Sequence, residues 1–303
     1  MCKFIPILKN KMNTIDLKNQ ISTYYHQSIK VINGEYDNHP VRVLQAIKSI
    51  IGINPREPLQ NLLKFYSTYL DQYDKSKIRY NFKDESIPEV ITLADLELSL
   101  ISKDLEHSKK NIYYLSNVSD GTHILEFLLE FCIKYNLQSS LIVWSIYKMM
   151  LFLKGEYFME SLVFCINTIV NEKSTCITQK YHNGKIDSKR YLYDKKTFPL
   201  FLLYYSIVEE DLVRKNNISK YIYHNMHSML KFSKNKLDKL RVYDSQILKG
   251  RLWLNNYIKS LSDKQLNSEL IIMLELARGA LKVSQKNDAK IIWHNLNIYL
   301  EKK

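Results

Sequence analysis

The sequence predicts an all-α fold, a single multi-helical domain of about ten to twelve helices. Three observations carry that expectation. The first is punctuation. Across 303 residues there are 7 Gly and 6 Pro, roughly a third of average usage. Sandwiches, barrels and Gly-rich phosphate-binding folds need many tight turns and left-handed positions, which this chain cannot supply. The second is periodicity, since apolar residues recur at helical spacing through most of the chain. The third is composition. With 46% hydrophobic and 25% charged residues, the chain can bury a sizeable core and is not a disordered segment.

Taken in order, Ile15, Leu17, Ile21, Tyr24, Tyr25, Ile29 and Ile32 form a helical stripe that Gly34 ends. Asn38-His39-Pro40 opens a second helix, with Asn38 as its cap and Pro40 in its first turn. Val43, Leu44, Ile47, Ile50 and Ile51 make its inner face, and Gly52 closes it. Pro55 and Pro58 start a third, with Leu59, Leu62, Leu63, Tyr66 and Leu70 inward. Residues 71–88 read as a loop. A helix is expected from about 89 to 107, and Ser119-Asp120-Gly121-Thr122 starts the next, which reaches Tyr135. Further helices are expected near 138–153, 156–171, 198–214, 217–233, 236–260, 264–283 and 286–301, with Ser262 and Asp263 as caps for the penultimate one. Between 175 and 193 the pattern breaks. Asn183-Gly184, flanked by Tyr181, Ile186 and Tyr191, marks a small β-hairpin or an exposed polar loop. The domain is read as 1–303, with 172–196 as its natural subdivision into an N-terminal helical half (1–171) and a C-terminal one (197–303). No repeat of 33–47 residues stands out, although paired helices of about that period leave a solenoid open.

The net charge of +13 invites a nucleic-acid reading. Its make-up argues otherwise: 8 of the 44 basic residues are Arg and 36 are Lys, whereas Arg is the preferred fork for phosphates and base edges. Cys2, Cys132, Cys165 and Cys176 show no CxxC spacing, so a structural zinc site is not indicated. Buried thiols in a reducing, cytoplasmic setting are expected. The run Phe4–Leu8 is too short for a signal segment, and neither Leu141–Leu153 nor Phe198–Val208 has the length to span a bilayer. A soluble protein is expected.

Four histidines are the candidate catalytic residues. His39 and His123 each begin an apolar helix, where a neutral imidazole can be held at a cleft edge. The plainer role there is a capping or half-buried histidine. His224 and His227, three apart, can share a helix face and bind a metal or a polar substrate, or form a simple surface pair. Glu126 and Glu130 follow His123 on roughly one face. Their order is His-x-x-Glu, without the second copy that a di-metal carboxylate bundle requires. Markers of the common nucleotide-binding, serine-hydrolase and zinc-protease sites are absent from the sequence.

Two segments resemble the questin oxidase-like family. In Asn38–Tyr73 the matching residues are Asn38, His39, Ala46, Gly52, Phe65 and Tyr69. In Asp120–Met149 the position that carries over is His123, and a looser later block corresponds to His224 and His227. Together the two better segments cover about a fifth of the chain. The resemblance implies an α-helical oxidase that opens the ring of a polyketide-like aromatic substrate by a Baeyer–Villiger-type reaction, with reduced nicotinamide as reductant. The leading expectation is therefore a helical oxidoreductase whose four histidines converge on a pocket for a small aromatic molecule and move protons or hold a metal ion. A non-catalytic helical scaffold and a basic nucleic-acid-binding protein are the alternatives. The last expects Arg42, Arg56, Arg79, Arg214, Arg241 and Arg251 to gather on one face with Lys.

Overall fold

The computed structural model describes residues 14–31, 33–76, 82, 88, 90–173, 197–229 and 240–301, apart from the side chains of 227–229. Among them run fourteen α-helices: α1 (Thr14–Ser28), α2 (Pro40–Ile51), α3 (Gln60–Leu70), α4 (Leu93–Ile101), α5 (Leu105–Val118), α6 (Gly121–Lys134) and α7 (Ser140–Leu153), then α8 (Phe158–Asn171), α9 (Phe198–Val208), α10 (Lys215–Met229), α11 (Asp244–Lys249), α12 (Arg251–Ser260), α13 (Ser268–Val283) and α14 (Lys286–Glu301). The fold is all-α. The only β pairing among the described residues is an isolated antiparallel bridge between Val31 and Lys75. The hairpin expected at 175–193 lies outside the described residues.

Fourteen helices exceed the ten to twelve expected, because two stretches read as continuous are divided. Lys103 takes a left-handed φ of 56°, and Asp104 then accepts the His107 amide as the cap of α5. The helix expected over 89–107 is thus α4 and the start of α5. Downstream, Gly250 at φ 50° separates α11 from α12 inside the expected 236–260 helix. Glycine meets little steric cost there. Three expected starts also move. The cap of α2 is His39 rather than Asn38, α3 begins at Gln60 behind Leu59, and Asn267 rather than Ser262 or Asp263 caps α13 by accepting the Leu270 amide. Asp120 caps α6 where the sequence places it.

Two helices form the centre. α2 is buried on nearly every face, from Pro40 to Ile47 and again at Ile50 and Ile51, and it packs against α1, α3, α7, α12 and α13. α13 packs on α2, α9, α12 and α14. An apolar helix needs neighbours all round, and each fully buried Leu or Ile contributes about 1.5–3 kcal/mol of hydrophobic stabilisation. One core runs from Leu17 through Leu128 and Ile166 to Leu274 and Tyr299, with residues from both sides of 172–196. Around it α6 packs on α7 and α10, and α5 on α4 and α8. Glu172, just past α8, reaches the start of α7, where its carboxylate accepts the Gln138 and Ser139 amides at 2.8 and 3.0 Å. Two donors otherwise orphaned at that helix start are thereby satisfied.

Candidate functional site

The histidines fall into separate environments. His39 is 2% exposed. Its Nδ1 accepts the Val41 amide at 3.2 Å, its Nε2 lies 3.2 Å from the Val31 carbonyl, and its ring tilts against Phe164. Accepting at Nδ1 makes Nε2 the protonated nitrogen, which donates to Val31. Burial pushes the imidazole down to about 4, only partly opposed by the Val31 hydrogen bond. The ring is a neutral cap that ties α2 to the segment following α1. His123 is exposed at the first turn of α6 and lines a small cleft of about 260 Å³ with Leu115, Glu126 and Arg214. His224 is partly buried on α10, which also carries His227. Neither His39 nor His224 lines the His123 cleft. Among the described residues, no group of three or more His, Cys, Asp or Glu side chains is placed to hold a metal.

The carboxylates that follow His123 turn inward. Glu126 accepts the Arg214 amide at 3.0 Å. Glu130 pairs with the Arg214 guanidinium and accepts Asn217 Nδ2 at 3.2 Å. These contacts bind α6 to the entry of α10. Arg241 pairs with Glu301, and Arg278 with Glu275. Several arginines therefore have intramolecular carboxylate partners.

A cleft of about 750 Å³ lies elsewhere, lined by the first turns of α2, α7 and α9, the first half of α13 and Tyr299 near the end of α14. Leu137, Leu141, Leu200, Ile272, Met273 and Leu276 give it an apolar lining. Arg42 supplies a cation that is 7% exposed. Its Nη1 donates to the carbonyl and the carboxylate of Asp37, at 3.0 and 3.2 Å. The Nε and Nη2 edge has no hydrogen-bond partner among the described residues. That edge is the fork that takes a carboxylate in two parallel bonds. At the mouth stand Glu35, Asp37 and Glu269, all exposed. Tyr204 and Tyr299 complete the wall. His39, His123 and His224 do not line it.

A second polar group sits on the same face of α2. Gln45 donates to Glu275 at 3.1 Å, and Lys48 donates to the Lys148 carbonyl at 3.0 Å with its ammonium 5.5 Å from the Phe152 ring centre. Burial, then the neighbouring cations Lys148 and Arg278, push the Lys48 amine down to about 7 against the pull of Glu275 and Glu210. Lys48 was not among the residues expected from sequence to form a site, and Arg42 was named only among the arginines of the nucleic-acid alternative. The signal that could have found them is the polar line Arg42, Gln45, Lys48 and Ser49 on an otherwise apolar helix.

The chain matches no family model, and neither the curated proteins nor the solved structures include a match to it. No helix among the described residues is long and apolar enough to cross a membrane.

Proposed function

We propose that this protein binds a small amphipathic organic acid in the cleft lined by the first turns of α2, α7 and α9 and the first half of α13. One observation carries the reading: a guanidinium nine-tenths buried at Arg42, whose carboxylate-binding edge has no hydrogen-bond partner among the described residues, lines a cleft together with several apolar side chains. Desolvation makes a charge-assisted pair stronger inside such a site than in water. An apolar cleft with a few converging polar groups is the usual form of a small-molecule site.

The function is placed here rather than at the four histidines of the oxidoreductase reading for a geometric reason. His39 has both ring nitrogens engaged by the backbone, and His123 and His224 do not line this cleft. Thermal unfolding across a panel of six- to twelve-carbon carboxylates, plain and substituted, tests the proposal. At least one member raises the midpoint of the wild-type protein, and Arg42→Gln removes that rise. A panel with no effect on the wild type, or a rise that persists in Arg42→Gln, overturns it.

A further inference from the structure

Lys48 on α2 lies within electrostatic reach of two other cations, Lys148 on α7 and Arg278 on α13, the helices that flank α2. Those two have carboxylate partners. Lys148 Nζ donates to Glu210, just past α9, at 2.8 Å, and Arg278 Nη2 donates to Glu275 at 3.1 Å. Glu275 also accepts Gln45 Nε2 at 3.1 Å. Both carboxylates of the cluster are thus engaged, and Lys48 is the third cation, hydrogen-bonded to neither. Its Nζ donates to the backbone carbonyl of Lys148 at 3.0 Å and stands 5.5 Å from the Phe152 ring centre. The carbonyl needs one N–H and no charge. The ring face does favour an ammonium, by about 0.5–2 kcal/mol. Desolvation and the two like charges oppose it and win, so the amine titrates near 7.

We infer that Lys48 is an acylation site, which takes the acyl group of a small thioester. The lone pair of Nζ attacks the thioester carbonyl carbon, the C–N bond forms and the C–S bond breaks. Sulfur leaves with the bonding pair, and the proton lost by nitrogen converts the thiolate to the thiol. A neutral amine at neutral pH is the nucleophile this step requires. The product suits the cluster. An amide carries no charge, so the surplus cation disappears, and it keeps one N–H for the Lys148 carbonyl. Its oxygen is a new acceptor in a cluster with a donor to spare, because Arg278 Nε is buried and has no hydrogen-bond partner among the described residues. A carbamate would instead add a negative charge within reach of Glu210 and Glu275. Lys48, Lys148, Phe152, Glu210 and Arg278 are each partly exposed, so the cluster is not sealed from solvent. Lys48 does not line the Arg42 cleft, and the two sites stand independently.

Pulsed labelling of the full chain with N,S-diacetylcysteamine from pH 6 to pH 10, read by peptide mapping, tests the inference. Exposed Lys154 and Lys249 are the internal comparison, because an ordinary lysine gains about tenfold in neutral amine per pH unit over this range. The Lys48 rate is expected to level off above about pH 8, and at pH 7 to exceed the Lys154 and Lys249 rates several-fold. In Lys148→Gln one like charge is gone and Glu210 is released, so the plateau moves to higher pH and the Lys48 rate at pH 7 falls. Should that variant fail to fold, the wild-type profile decides alone. A Lys48 rate that climbs to pH 10 in parallel with Lys249 overturns the site, as does a Lys48 that stays unlabelled while Lys249 reacts. A plateau unmoved in folded Lys148→Gln overturns the role of the cluster.

Discussion

Glu126 and Arg214 are 88 residues apart, and the carboxylate of Glu126 accepts the backbone amide of Arg214 at 3.0 Å. The residue is 3% exposed. A side chain that sequence spacing groups with His123 is therefore a clasp between α6 and the entry to α10. Truncation leaves the part-buried Arg214 amide without its acceptor. Glu126→Ala is expected to lower stability by about 2–4 kcal/mol, and Glu126→Gln, which keeps an acceptor oxygen, by less. Urea denaturation followed by circular dichroism measures both. A Glu126→Ala loss no larger than that of a surface substitution would show that the clasp contributes nothing net.

His39 predicts a pH dependence. Its folded pKa lies near 4, below the ordinary imidazole value of 6.5, because burial disfavours the charged ring. Between those values the unfolded chain binds a proton that the folded chain does not, so stability falls as pH drops through that window and is fully present above it. The contribution is on the order of 2–3 kcal/mol between pH 7 and pH 4. Other groups titrate in the same range, so the comparison is with His39→Asn, which can still accept at the start of α2 but does not titrate. Its stability should vary less with pH than that of the wild type, by about the stated amount. Parallel curves for the two proteins would refute the assignment.

The helical class was legible because Gly and Pro scarcity and apolar spacing are local, additive signals. So was the start of α6 within Ser119–Thr122, where Asp120 bonds two residues along the chain. The break at Lys103 was not, because a left-handed lysine carries no compositional mark. The cap of α2 was misplaced by one residue, since Asn38 has the better intrinsic preference and His39 wins through its bond to Val31 and its packing on Phe164. The cleft was hidden for a different reason. Arg42, Glu269 and Leu137 come together only when α2, α7 and α13 pack, and the sequence treats them as unrelated. Histidine draws attention as a titrating residue, yet His39 titrates below the physiological range because it is built into the core.

A second relationship at His39 can be read from Gly34. A Cβ added at Gly34 would lie 2.4 Å from Cδ2 of the imidazole. The ring cannot step aside cheaply, because two hydrogen bonds and Phe164 hold it. Gly34→Ala is expected to cost about 1–3 kcal/mol. Gly121→Ala meets the Phe158 ring at 1.9 Å, but that ring is only partly buried and can rotate outward, so the cost there should be smaller. In a double-mutant cycle, Gly34→Ala placed in the His39→Asn background should lose much of its penalty. Additive effects of the two changes would mean that the strain falls somewhere other than on the imidazole.

Cys132 on α6 and Cys165 on α8 are both completely buried thiols. Burial raises the Cys165 thiol well above its ordinary value, and Cys132 Sγ takes a hydrogen bond from Ser139 Oγ at 3.4 Å. The reactive species is the thiolate, so both should be inert in the native protein because neither is accessible, and Cys165 also because burial keeps its thiol protonated. Pulsed alkylation followed by peptide mapping can read each site separately. Under native conditions labelling at 132 and 165 should be slower than in the denatured chain by the factor that reports local or global opening. The two sites should slow together, because α6 and α8 pack against each other. Addition of urea below the unfolding midpoint should accelerate both in parallel if they open with the whole core. Rapid labelling of Cys165 in the absence of denaturant would show instead that α8 detaches from α6 and α7 on its own.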